Sequence, residues 1–235
     1  GALGLIKHKR EIMVNGSKKL MDFSYYDDGE LYSIGNADAN GNEDGYWQYF
    51  FQNGQCMACG NFVAGQKDGE WRYYHNNGLL KMVEHYRNGL LSGVYAEYHV
   101  TGEKSLEAPF ENDSIKGVIK YYDIFGNLKQ VHPTANNVRN GKAIHYFSSG
   151  QVRNEYSYKN GQVYGEDRMY YPNEQLASVV TIDEGGRQGD FYEYFSNGKL
   201  SIKGAFADGK EVGSWTYYHA NGRIKKEVAY NDGKA

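Results

Sequence analysis

The chain has 235 residues, with 26 Lys or Arg against 29 Asp or Glu, a net charge of −3 and no long block of either sign. Such a balance gives no basic face for nucleic acid, and no apolar run reaches the length of a membrane span. With 23 Tyr and 30 Gly but only 3 Pro and 2 Cys, the composition fits strands joined by tight turns and excludes a disulfide-built scaffold.

The chain opens at Gly1 rather than at a methionine, as a chain does once a leader segment has been trimmed. Residues 1–19 read as an N-terminal cap or half repeat, because Met13, Asn15 and Gly16 match the tail of a repeat; Lys7-His8-Lys9-Arg10 reads as a solvated stretch. An irregular unit follows from residue 20, with Tyr25, Tyr26 and Gly29 one place out of step, and the polar segment Gly35 to Asp44 absorbs the slip. From there a glycine recurs every 24 residues, at Gly45, Gly69, Gly93, Gly117, Gly141, Gly165, Gly189 and Gly213. A fixed period of this length marks a repeat architecture in which each unit packs mainly on its neighbours. The repeat domain is therefore 20–235, with units starting near 20, 45, 69, 93, 117, 141, 165, 189 and 213.

Each unit reads as two strands. The first ends in a turn at Asn53-Gly54, Asn77-Gly78, Asn197-Gly198 or Asn221-Gly222, where a type I′ hairpin is expected. At Asn173-Glu174 the glycine is lost, and a changed turn is expected. The second strand carries an aliphatic column (Leu80, Leu128, Leu176, Leu200) and ends at Asn88-Gly89, Asn160-Gly161, Asp208-Gly209 or Asp232-Gly233. Asn112-Asp113 and Asn136-Asn137 stand in for this second turn in the middle units, where Pro109 and Pro133 interrupt second strands. The fold class is all-β: an elongated single array of tandem hairpins forming an antiparallel sheet, since a lone hairpin is marginal in water.

Strand parity divides the aromatic residues between two faces. One carries Phe50, Tyr74, Tyr98, Tyr122, Tyr146, Tyr170, Tyr194 and Tyr218, aromatic in all eight units and read as the structural column. The other carries Trp47, Tyr49, Trp71, Tyr73, Tyr95, Phe191, Trp215 and Tyr217. A single-layer sheet cannot bury both faces fully, so this second set is either a ligand or partner surface or plain packing between repeats.

Catalytic and metal chemistry find little support. Cys56 and Cys59, three apart on a strand, are expected on opposite faces, and no second pair completes a zinc site. His75 and His99 lie one unit apart, roughly 9.6 Å between backbones. Glu97 and Glu193 lie roughly 38 Å apart by strand spacing, too far for a carboxylate pair. No phosphate loop or His-Glu-x-x-His occurs, the glycines read as turn glycines, and no enzyme activity, cofactor or metal is expected.

The phrase Gly-x-Trp-x-Tyr-Tyr-x-x-Asn-Gly at Gly69 and Gly213, followed by an aliphatic, an aromatic and a second turn, resembles the bacterial MORN-repeat variant, the repeat of the YwqK-like antitoxin family. The resemblance covers about residues 20–235, although Ala143 and Asp167 replace the expected Trp. It implies a non-catalytic hairpin scaffold that binds a protein partner, a toxin if the antitoxin label applies. It also implies a bacterial protein, of the envelope or secreted if a signal peptide has been removed and cytoplasmic otherwise. The same aromatic hairpins are similar to choline-binding and glucan-binding repeats, so a cell-surface carbohydrate- or choline-binding module is the alternative. Those families have a shorter repeat and a Thr-Gly-Trp after the turn, which this sequence lacks.

Overall fold

The computed structural model describes residues 6–14 and 17–234. Asn15 and Gly16, read above as a repeat tail, lie outside the described residues, as does Gly1. Every regular element among the described residues is a strand.

The strands fall into two units. The first comprises Gly1–Lys116 with Ile124–Gly126. It holds β1 (Ile6–Val14), β2 (Ser17–Tyr25), β3 (Leu31–Ala37), β4 (Glu43–Phe50), β5 (Cys56–Val63) and β6 (Gln66–Tyr74). It continues with β7 (Leu80–Arg87), β8 (Leu90–Leu91), β9 (Gly93–Tyr98), β10 (Lys104–Glu111) and β11 (Ser114–Ile115). The second unit comprises Gly117–Asp123 with Asn127–Ala235. Its strands are β12 (Gly117–Tyr122), β13 (Leu128–Ala135), β14 (Val138–Arg139), β15 (Gly141–Tyr146), β16 (Val152–Lys159) and β17 (Gln162–Tyr170). They are followed by β18 (Leu176–Asp183), β19 (Gly186–Tyr194), β20 (Leu200–Ala207), β21 (Lys210–Tyr218) and β22 (Ile224–Tyr230). Within each unit the strands pair antiparallel with their neighbours in the chain. The all-β array of hairpins expected from the repeat is thus the fold.

The turns differ from expectation in an instructive way. At Asn53-Gly54 only the glycine takes positive φ, 79°. Gly54 N donates to Phe51 O and Phe51 N to Gln55 O, both at 2.9 Å. This is a type I turn closed by a left-handed glycine, not the type I′ turn expected. Type I′ geometry occurs instead at the second turn: Asn88 and Gly89 have φ of 52° and 78°, and Asn112-Asp113 and Asn136-Asn137 are both left-handed too. The turn at Asn173-Glu174 is not changed either. Glu174 sits at φ 65°, and its N–H donates to Tyr171 O at 2.9 Å as the glycines do elsewhere. The surrounding hairpin holds a side chain where left-handed backbone is costly. Glu174→Gly should therefore raise stability by about 0.5–1 kcal/mol, read as a higher urea midpoint; an unchanged or lower midpoint would contradict it.

Pro109 and Pro133 do not interrupt their strands. Each lies inside a continuous strand, facing the break in the next one, where Lys116 N and Asn140 N donate to their carbonyls at 3.1 and 3.0 Å. A proline lacks only a donor, and a broken neighbour tolerates the loss.

Of the two aromatic faces, the one with the tryptophans is the more deeply buried. Trp47, Trp71 and Trp215 are 4%, 1% and 5% exposed, while the constant column from Phe50 to Tyr218 is half-buried throughout. The reason is a set of glycines that are not turn glycines. A Cβ on Gly35, Gly60 or Gly204 would lie 2.1, 2.3 or 2.2 Å from the indole of Trp47, Trp71 or Trp215. Each indole lies flat over a bare strand backbone. Where the indole is absent, so is the glycine: Ala143, Asp167 and Phe191 stand in the Trp column, and His132, Tyr156 and Val180 in the glycine column. The first unit centres on Trp47, Phe62 and Trp71, and the second on Val180, Phe206 and Trp215.

The cysteines are free, Cys56 half-buried and Cys59 buried. They are not on opposite faces. The register slips by one residue between Cys56 and Ala58, and this bulge brings both thiols together beside Tyr46 and Tyr74. Burial, reinforced by Cys59, pushes the Cys56 thiol up to about 11, so it stays protonated at neutral pH and is a poor nucleophile.

Candidate functional site

A cleft of about 390 Å³ opens on the Trp face of the first unit. Three successive hairpins build it, because every second residue of a strand points to the same face. Across the strands Tyr49 pairs with Ala58, and Ala58 with Tyr73. Ala58 is 6% exposed and forms the floor between the two tyrosines. One hairpin further on, Met82 occupies the place of Ala58, between Tyr73 and Glu97. The cleft thus exists because a small residue stands where a long one would fill the gap.

The rings form a connected ladder. Trp71 lies 6.2 Å from Tyr49 and 6.3 Å from Tyr73, tilted by 40° and 34°. Tyr32 meets Tyr49 edge-on at 5.9 Å, and Phe62 meets Trp71 edge-on at 4.8 Å. Trp71 is fixed from below as well, its Nε1 donating to Asn61 O at 2.9 Å, just as Trp47 Nε1 donates to Asn36 O at 2.8 Å.

Lys67 closes one side. Its ammonium lies 4.7, 5.1 and 5.0 Å from the rings of Trp71, Tyr73 and Tyr86. It donates to Tyr73 Oη and lies 3.5 Å from Glu84 Oε2. Tyr73 and Tyr86 in turn donate to the same Glu84 oxygen, at 2.5 and 2.9 Å. This is a cation–π box filled by the protein's own lysine. Burial raises both phenols above the usual tyrosine range, and the hydrogen bond to Glu84 and its charge add to the rise. Burial likewise raises Tyr49, with Glu43 adding to it. The phenols remain protonated donors at neutral pH. Lys81, at the rim, is exposed and makes no ion pair among the described residues.

Of the candidate surface residues, the structure brings Tyr49, Trp71 and Tyr73 to the cleft, and places Trp47 in the core beside them. Tyr95 lies outside it, 5.6 Å from Phe110. Phe191, Trp215 and Tyr217 belong to the core cluster of the second unit, where Phe191 stacks on Trp215 at 5.6 Å and Lys226 covers Tyr217 at 4.2 Å. Sequence reasoning missed Ala58, Lys67 and Lys81. Lys81 is the extra residue of the bulge that recurs beside each constant aromatic, here between Tyr73 and Tyr74. Among the described residues no group of three or more His, Cys, Asp or Glu could hold a metal ion.

Comparison with known proteins gives the following. No curated protein matches the sequence. Among solved structures, a TcdB2–TccC3–Cdc42 crystal structure aligns at 10% identity and a TM-score of 0.23, over 97% of this chain and 15% of that one. The chain thus spans less than a sixth of that protein's length. A porin-like protein from Bacteroides uniformis aligns at 6% identity and a TM-score of 0.21, over 97% of this chain and 95% of that one. The Photorhabdus luminescens Tc holotoxin pore with a TccC3 mutation aligns at 11% and 0.18, over 95% and 15%. Residues 67–88, 139–160, 187–208 and 211–232 match the MORN repeat variant.

Proposed function

We propose that the chain is a non-catalytic repeat scaffold that docks a protein partner on the aromatic face of its first unit. The observation that carries this reading is the open cleft between Tyr49 and Tyr73, the place in that face where rings are reachable rather than packed over. Aromatic residues set in a rigid sheet are the usual anchors of protein interfaces. The likeness of the repeats to those of an antitoxin family makes a toxin the partner to look for first. Lys67 speaks against the choline alternative: the three-ring box that would take a quaternary ammonium already holds an ammonium.

The test is affinity capture from the source cell with the wild-type chain and with Tyr49→Ala in parallel, unfolding midpoints measured alongside. A stoichiometric protein retained by the wild type and lost by a folded Tyr49→Ala variant is the expected result. Retention of glycan without protein would move the reading to carbohydrate, and equal retention by both chains would overturn the role of the cleft.

A further inference from the structure

We infer that the cleft takes an extended, acidic peptide segment of the partner, with a proline or aromatic side chain seated between Tyr49 and Tyr73 and a carboxylate against Lys81. The inference rests on the docking reading above and names its chemistry. Three features of the cleft lead to it.

The first is shape. Tyr49 and Tyr73 stand on strands two apart, with Ala58 on the strand between them. Two strand spacings put their backbones roughly 9.6 Å apart, and the small Ala58 leaves the space between them open. Met57 and Phe51 extend the slot toward the first turns. Aromatic-lined grooves of this kind dock extended, proline-containing segments.

The second is polarity. A sugar brings many hydroxyls, each needing a partner once buried. Here Lys67, Tyr73, Tyr86 and Glu84 satisfy one another. These four groups are committed to one another, and between Tyr49 and Tyr73 the floor is the Ala58 methyl. That favours a ligand whose buried part is apolar.

The third is charge. Lys67 is neutralised by Glu84, but Lys81 at the rim has no ion pair among the described residues. A rim lysine steers an acidic segment and disfavours a basic one.

The adjacent hairpin supplies the variant needed to test this. Met82 already fills the equivalent position, so Ala58→Met should plug the slot without disturbing the strands. A random dodecapeptide library displayed on phage is selected on the full chain. Enriched sequences are expected to place Pro, Phe, Tyr or Trp next to Asp or Glu. Synthetic versions, followed by fluorescence polarisation, should bind at least tenfold more weakly to Ala58→Met and to Lys81→Glu. Both variants should keep the wild-type far-ultraviolet spectrum and unfolding midpoint. No enrichment, enrichment of basic sequences, or equal binding by both folded variants would overturn the inference. So would slot-dependent binding of an acidic polysaccharide in place of peptide. If a captured partner is lost with Tyr49→Ala but kept by both slot variants, docking on this face stands and the peptide assignment falls.

Discussion

Gly60→Ala is expected to destabilise the first unit by about 3 kcal/mol, at the upper end of overpacking costs. The added methyl would sit 2.3 Å from Trp71 Cδ2. Real contacts do not come that close, so either the indole or the strand must move. The indole has nowhere to go. It is 1% exposed, held by Phe62 at 4.8 Å and anchored through Nε1 to Asn61 O at 2.9 Å. Trp71→Ala approaches the same contact from the other side and should cost about 4 kcal/mol, the loss of a fully buried aromatic. The second unit shows how the conflict can be relieved, since Val180 and Phe191 stand at the repeat positions that Gly60 and Trp71 hold in the first. Gly60→Val with Trp71→Phe copies that pair, and it should be less destabilised than Gly60→Val alone. Denaturation in urea, followed by circular dichroism, gives these four values and that of Trp71→Phe alone. If Gly60→Ala changes stability by less than about 0.5 kcal/mol, as a tolerated surface change would, the indole is not seated on the glycine. If the double variant is as unstable as the sum of its parts, the pair is not coupled.

This glycine also marks where sequence reasoning stops. The period of 24 residues, the turn signals and the alternation of aromatic residues were enough to read an all-β hairpin array. They did not reveal which face is the core. Constancy favoured the Tyr column, because a position aromatic in every unit looks like packing. The more deeply buried face turned out to be the more variable one: its Trp column also carries Tyr95, Ile119, Ala143, Asp167 and Phe191. Gly60 lies under Trp71, and in a later unit His132 and Ala143 stand at those two places. Thirty glycines, most of them in turns, hid the three that lie under indoles. The turn types were misassigned for a related reason. Asn-Gly suits both a type I′ turn and a type I turn closed by a left-handed glycine, and the bulge beyond the turn selects the latter.

The cleft was legible in part. Tyr49, Trp71 and Tyr73 follow from parity alone. Ala58 could have been singled out, because Met82 and Gln130 occupy its column in later units and a methyl there leaves a gap. Lys67 and Lys81 could not, since the first reaches the rings by lying across the sheet and the second is turned inward by a bulge. Local irregularities of a strand pair decide such placements, and a column count averages over them.

Lowering the pH from 7 to 4 should destabilise the second unit through His132, by up to about 3 kcal/mol. The imidazole replaces the glycine of the Gly–Trp pair and is 2% exposed. Around it stand His145 at 5.3 Å, Tyr121 at 5.7 Å and Tyr158 at 6.1 Å between ring centres, with Gln130 Oε1 at 3.2 Å from Nε2. Among the described residues Nδ1 has no hydrogen-bond partner. Burial pushes its pKa down to about 4, with the charges of Arg139 and His145 adding to the shift. His145 is lowered too, by burial first and then by Arg153 and Arg139. In the unfolded chain a histidine titrates near 6.5. Between those two values the unfolded state binds more protons than the folded one, so stability rises with pH across this window and falls as the pH drops through it. Below about pH 4 both states are protonated and His132 contributes no further slope. Carboxylates begin to protonate in the lower part of the same range, so the comparison that isolates the effect is with His132→Leu, of similar volume and without a titrating group. Urea midpoints at pH 7, 5.5 and 4.5 should fall more steeply for the wild type than for the variant. Parallel slopes would mean that water reaches the ring and that its proton uptake is the same folded or unfolded.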